Sequence, residues 1–234
     1  MVDLALLVAV GVNEGGYREV LAVEPAGGER KEAWRNLLKG LLERGLQGVR
    51  LVISDDHPSI RQAVMAELPG ARWQRCVVHQ VRASLSQVRS QDRALLAQDL
   101  RGVYMAGSRK EALEALGKLR AAWGSRYPSL VVPWWEGSGA LLRFYEYPQV
   151  LWPYLRSTNL MERFIREIRR GTKVRDHKFP RPESVYKLLY VEGERQEGRW
   201  AERRLKGFAE AQEILERMLL ERYTPQTQTL THKS

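Results

Sequence analysis

Val49-Arg50-Leu51-Val52-Ile53-Ser54-Asp55-Asp56-His57-Pro58 is the stretch on which the fold turns. Its first six residues are mostly branched and apolar, as a short half-buried strand requires. Two aspartates then close the run, and Pro58 is preorganised for the first turn of a helix. Ile60 to Leu68 supplies that helix. Upstream, Leu4 to Val12 and Tyr17 to Val23 flank Asn13-Glu14-Gly15-Gly16, so an antiparallel hairpin is expected there. Glu32 to Leu46 places Trp34, Leu37, Leu38, Leu41 and Leu42 at helical spacing. Downstream, Trp73 to Val78 reads as another strand and Gln80 to Val88 as a helix. The order hairpin, helix, strand, helix, strand, helices predicts an α/β chain with a mixed sheet.

From Gln91 to Leu155 the pattern is helical and rich in tryptophan, and Pro128, Pro133, Pro148 and Pro153 divide it. Trp123, Trp134, Trp135 and Trp152 suit either a helical core or stacking on unpaired bases. Ser157 to Thr172 is a strong helix, followed by a basic loop from Lys173 to Pro182. Pro182 to Tyr223 reads as helix interrupted near Gly193 to Gly198, and Thr224 to Ser234 as a disordered polar tail.

The 234 residues carry a net charge of +10 and a pI of about 9.9. That balance suits a polyanion, with nucleic acid ahead of an anionic membrane surface. The single cysteine, Cys76, excludes an intrachain disulfide and a multi-cysteine zinc site, and fits a reducing cytoplasm. The apolar run Leu4 to Val12 is too short to span a bilayer and lacks a basic flank, so no signal peptide is read there.

Asp55 and Asp56 admit two readings. A carboxylate at the C-terminal end of a buried strand can hold Mg²⁺ through oxygen. An aspartate before a proline-started helix can equally serve as its N-cap. Glu162 also admits two. It shares a helix face with Arg166, Arg169 and Lys173, opposite the apolar Leu160, Phe164 and Ile168. A structural helix would pair Glu162 with Arg166, or close a capping turn with Asn159 as N-cap. A functional one would have Glu162 hold metal while the cations grip phosphates. Nine Lys or Arg stand against three Asp or Glu from Arg156 to Arg181, a density that suits phosphate contacts with a strong salt dependence. Cys76 and His79 form a C-x-x-H pair that is short of ligands for zinc. A small buried cysteine beside a hydrogen-bonded histidine accounts for them better.

Taken together, VISDDH, RCVVHQVRASL and STNLMERFIREIRRGTKVRDHKFP resemble the signature blocks of Mutator-type bacterial insertion-sequence transposases, in the same order. LLVAVGVNEGGYREVLAV resembles that family's second and third strands. The resemblance implies a ribonuclease-H-like mixed sheet with an all-helical insertion. It divides the chain into a catalytic core (1–90 and 156–181), the insertion (91–155) and a helical C-terminal tail (182–234). It makes Asp55 and Glu162 the second and third carboxylates of a DDE triad, which would hold two Mg²⁺ or Mn²⁺ ions for cleavage and strand transfer at transposon ends. Cys76, His79, Thr158 and Asn159 match signature positions. Arg163, Arg166, Arg169, Arg170, Lys173 and Arg175 are the expected contacts to double-stranded DNA. A homo-oligomer, a cytoplasmic, nucleoid-associated location and no membrane are expected.

The first aspartate of the family pattern precedes the hairpin, and Asp3 does not match it. The sheet is therefore expected to lack its first strand, and the chain alone to be inactive. A transposase-derived DNA-binding or regulatory protein and an unrelated ribonuclease-H-like nuclease are the competing readings.

Overall fold

The apolar runs on either side of Asn13-Glu14-Gly15-Gly16 pair as an antiparallel hairpin, β1 (Ala5–Val12) with β2 (Arg18–Ala26). The computed structural model describes residues 5–26, 28, 30–173 and 182–223. Asn13 fixes the turn: its N–H donates to Tyr17 O at 2.9 Å, and its Oδ1 accepts from the Tyr17 N–H at 3.0 Å. Gly16 sits at φ +84°, and a Cβ there would strain the backbone and strike the Phe208 ring. One bulge interrupts the ladder. Ala9 faces Ala22 but Val10 faces Val20, which leaves Leu21 as the extra residue.

Next come α1 (Lys31–Glu43), β3 (Leu51–Ser54), α2 (Pro58–Glu67) and β4 (Arg72–Arg75). β3 and β4 pair in parallel with α2 as their crossover, which puts Asp55 at the C-terminal end of β3. Helices follow: α3 (Val77–Ser86), α4 (Ser90–Tyr104), α5 (Arg109–Trp123), α6 (Pro128–Glu136), α7 (Ser138–Leu141) and α8 (Trp152–Leu155). Two 3₁₀ turns, Arg143–Glu146 and Gln149–Leu151, precede α8. The described chain closes with α9 (Asn159–Lys173), α10 (Pro182–Ala201) and α11 (Phe208–Tyr223).

Successive side chains of β1 leave on opposite faces and find different cores. Leu7 packs with Leu37, Leu38 and Leu41 of α1 and with Ala63 and Val64 of α2. Val8 packs on the other side with Phe164 and Ile168 of α9 and with Leu189 and Trp200. The hairpin is thus covered on both faces. The helices from α3 to α8 gather a third core around Leu96, Leu100, Leu116, Trp134 and Phe144. Gln74 of β4 is fully buried and ties the small parallel sheet to that helical layer. It donates to Arg75 O (2.7 Å) and Leu141 O (2.8 Å), and accepts from the Phe144 N–H (2.8 Å).

Several expectations change. In place of one mixed sheet, the described strands form two separate pairs, β1–β2 and β3–β4. A strand bonds only to a neighbour about 4.8 Å away, and no described strand lies between β1 and β3. A cavity of about 1760 Å³ is instead lined by consecutive residues of both, Val8 to Val12 and Leu51 to Ser54. The second strand ends at Arg75 rather than Val78, because α3 already begins at Val77 with Cys76 as its N-cap. Pro133 lies inside α6 rather than ending it. α10 runs unbroken past Gly193 and Gly198, where a Cβ on Gly193 would meet Val20 of β2 at 3.9 Å. The break falls later, at Gly207, with φ +79°. Just before it, the Leu205 N–H donates to Gly16 O at 2.9 Å, so the start of α11 is latched to the hairpin turn. The basic loop after α9 and the tail after Tyr223 lie outside the described residues.

Candidate active site

Neither aspartate of the Ser54-Asp55-Asp56 run caps α2. His57 holds the N-cap position, with no side-chain capping bond. Asp56 pairs with Arg75 at 2.8 Å. Burial pushes the Arg75 guanidinium below its ordinary value, and Asp56 opposes that shift. Asp55 is different, since its Oδ1 is buried with no hydrogen-bond partner. Its backbone is held from behind: the Ser54 hydroxyl donates to Asp55 O at 2.8 Å and accepts from Trp73 Nε1 at 3.0 Å.

Glu162 stands one turn into α9, where its N–H donates to Thr158 O at 2.9 Å. Its partners come from α3 rather than from its own helix. Arg82 donates to Oε2 at 2.9 Å, and His79 Nε2 stands 3.7 Å from Oε1, beyond hydrogen-bond range. Oε1 is therefore buried and without a hydrogen-bond partner. Both local readings of Glu162 fail here, the Arg166 pair and the Asn159 cap. Asn159 is exposed and already helical, and Thr158 takes the preceding position.

Asp55 and Glu162 line the same cavity, as do His79, Thr158, Arg166 and Arg169. The helical periodicity holds for Glu162, Arg166 and Arg169. Arg163 and Arg170 are exposed on other parts of α9, and Arg170 pairs with Glu167 at 3.5 Å. The Lys173 side chain and all of Arg175 lie outside the described residues.

Cys76 is fully buried, with Sγ 3.5 Å from Thr158 Oγ1, and Thr158 Oγ1 is 3.4 Å from His79 Nδ1. The C-x-x-H pair thus meets a threonine rather than further metal ligands. Among the described residues no three His, Cys, Asp or Glu side chains come together to hold a metal ion. The residues that sequence reasoning passed over are Arg75, Arg82 and Ser54. Arg82 was within reach of it, one turn beyond His79 on a helix that was expected. Trp123 and Trp134 are core residues, with indole N–H groups bonded to Asp99 (2.7 Å) and Ser84 (2.9 Å). Trp152 is half-buried and bonds Tyr147 O at 2.7 Å, while Trp135 is exposed beneath Arg120.

Two carboxylates that each keep a buried oxygen without a partner, Arg166 and Arg169 of α9, and three motif blocks meeting at one cavity make this the candidate active site. The family model for the transposase Mutator family matches residues 1–203, and the chain belongs to that family. It is 39% identical over 185 residues to the transposase of insertion sequence element ISRM5 from Rhizobium meliloti (strain 1021), covering 79% of this chain and 46% of that protein. It is 38% identical over 191 residues to the IS406 transposase of Burkholderia multivorans (strain ATCC 17616 / 249), covering 81% and 49%. With the IS905 transposase of Lactococcus lactis subsp. lactis (strain IL1403) the identity is 32% over 209 residues, covering 89% and 53%. The chain spans about half the length of these curated relatives.

Proposed function

We propose that this chain forms part of the catalytic core of a DNA transposase, with Asp55 and Glu162 as two of its metal-holding carboxylates. One observation carries the reading: Asp55 and Glu162 line one cavity, and each has a buried carboxylate oxygen without a hydrogen-bond partner. A buried carboxylate oxygen without a partner is costly, and a hard divalent cation removes the cost. The donor set fits Mg²⁺ or Mn²⁺, since Mg²⁺ keeps several waters and needs only one or two protein carboxylates. Bound there, such ions would activate the attacking hydroxyl and stabilise the leaving oxygen of an in-line displacement. Arg166 and Arg169, on the same wall, would bind DNA phosphates and fix the strand's position rather than read its bases.

The finer fold reading is ribonuclease-H-like, with a strand between β1 and β3 that none of the described residues supplies. Adjacent residues of a strand point to opposite faces, so a cavity lined by consecutive residues meets the strand's edge. In the family pattern that strand brings the first carboxylate. The division into core, helical insertion and tail follows from the same reading, as do work as a homo-oligomer on paired DNA ends and a nucleoid location.

The test puts this chain in place of the matching stretch of the ISRM5 relative and assays cleavage of transposon-end DNA in Mg²⁺. Cleavage is expected, and Asp55→Asn and Glu162→Gln each reduce it to background. Undiminished cleavage by either variant sinks the assignment. A second reading is a non-catalytic DNA-binding regulator, which the net charge of +10 suits without any metal. It predicts DNA binding without cleavage even in the chimera.

A further inference from the structure

The proposed chemistry leaves the C-x-x-H pair without a task, yet the pair sits where all three motif blocks join. The Cys76 N–H donates to Ser54 O at 2.7 Å, one residue before Asp55. The Val77 N–H reaches Arg156 O at 3.0 Å, at the entry to α9. Side chains repeat the link. Cys76 Sγ and His79 Nδ1 both meet Thr158 Oγ1, at 3.5 and 3.4 Å, and Thr158 O accepts the Glu162 N–H at 2.9 Å. Residues 76, 79 and 82 follow one side of α3, so its first turns present cysteine, histidine and arginine in sequence to the first turn of α9.

We propose that His79, Thr158 and Arg82 are positioning residues for the Glu162 carboxylate, and that this is the task of the C-x-x-H motif here. The inference rests on Glu162 being a cation ligand. Arg82 takes Oε2 and sets the rotation of the carboxylate. An arginine 57% exposed is by itself a weak tether. His79 supplies the second restraint. Its ring is held through Nδ1 at buried Thr158, and its Nε2 edge stands 3.7 Å from Oε1, close enough to block rotation and too far to occupy the lone pair. Oε1 stays without a hydrogen bond, on a side chain that lines the cavity. Cys76, buried against the same Thr158 hydroxyl, is a support for it and not a ligand.

The experiment titrates the chain with Mn²⁺ alone and follows free Mn²⁺ by electron paramagnetic resonance. Circular dichroism and thermal melting run alongside as controls on folding. Glu162→Gln removes the ligand and should abolish the Glu162-dependent Mn²⁺. His79→Ala, Thr158→Val and Arg82→Met should each weaken it by about 10-fold or more, the usual effect of losing a residue that orients a ligand. Thr158→Ser keeps the hydroxyl and His79→Gln keeps the reach towards Oε1, so both should stay within about threefold of wild type. These two variants keep the test decisive if His79→Ala fails to fold. A purely structural role would lower the melting temperature equally in rescuing and non-rescuing variants and leave Mn²⁺ affinity unchanged. If Glu162→Gln weakens Mn²⁺ binding but folded His79→Ala and Thr158→Val do not, the positioning role is wrong and the metal reading stands. No Mn²⁺ binding by the unsubstituted chain, or binding indifferent to Glu162→Gln, overturns both.

Discussion

Replacing Gln74 with methionine keeps the length of the side chain and removes all of its hydrogen bonds. The residue has no exposed surface and makes three bonds, of 2.7, 2.8 and 2.8 Å, to the backbone of Arg75, Leu141 and Phe144. The Phe144 N–H would lose its side-chain acceptor in a place closed to water, at a cost of about 1–3 kcal/mol. The two carbonyls have second lone pairs and lose less, roughly 1 kcal/mol each. The thioether regains about 1 kcal/mol through its apolar character. The net loss is about 3 kcal/mol. Urea denaturation followed by tryptophan fluorescence reads this as a midpoint lowered by roughly 1 M, for a slope of about 2–3 kcal/mol per M. A loss below about 0.5 kcal/mol would refute the argument, because orphaned backbone groups at Leu141 and Phe144 would then cost almost nothing. The result bears on the site as well, since Gln74 neighbours β3, which carries Asp55.

Gly207→Ala should destabilise by about 2 kcal/mol or more, through a residue forced to φ +79° and a methyl driven into Val150, and Val150→Ala should recover part of the loss in thermal melts. Arg166→Ala and Arg169→Ala should each lower the slope of log K against log salt for duplex DNA by about one; unchanged slopes would remove these residues from the DNA surface. Burial raises the Tyr145 phenol to about 12, opposed by Arg156. Its folded value lies above the ordinary one, so its contribution to stability is complete below about pH 10 and is lost as pH rises through about 12. The absorbance difference between wild type and Tyr145→Phe should titrate near pH 12, and a midpoint near 10 would mean that the phenol is not shielded.

Much of this was legible in residue order because local chemistry decided it. Asn13 and Gly16 specify a turn whatever surrounds them, and Phe164 and Ile168 mark the buried side of α9 by spacing alone. The hidden part depended on distant partners. α3 begins at Val77, three residues before the helix expected at Gln80, and the Val77 N–H meets Arg156 O, nearly eighty residues away. The glycines of α10 looked like breaks, yet Gly193 is where the helix approaches β2. Asp55 and Glu162 each had an ordinary local explanation, a cap or an i,i+4 pair, which failed only once His57 was seen at the N-cap of α2 and Arg82 on the Glu162 carboxylate. The role of Arg82 could not be weighed until α3 and α9 were seen end to end.

β1 and β3 each carry a border of amides and carbonyls that no described strand covers. Such borders accept any extended backbone that comes within reach, including that of a second molecule. At high concentration this polypeptide should therefore adhere to itself through its strands. Light scattering should grow with concentration, and a polypeptide that fills the gap from within should stay clear.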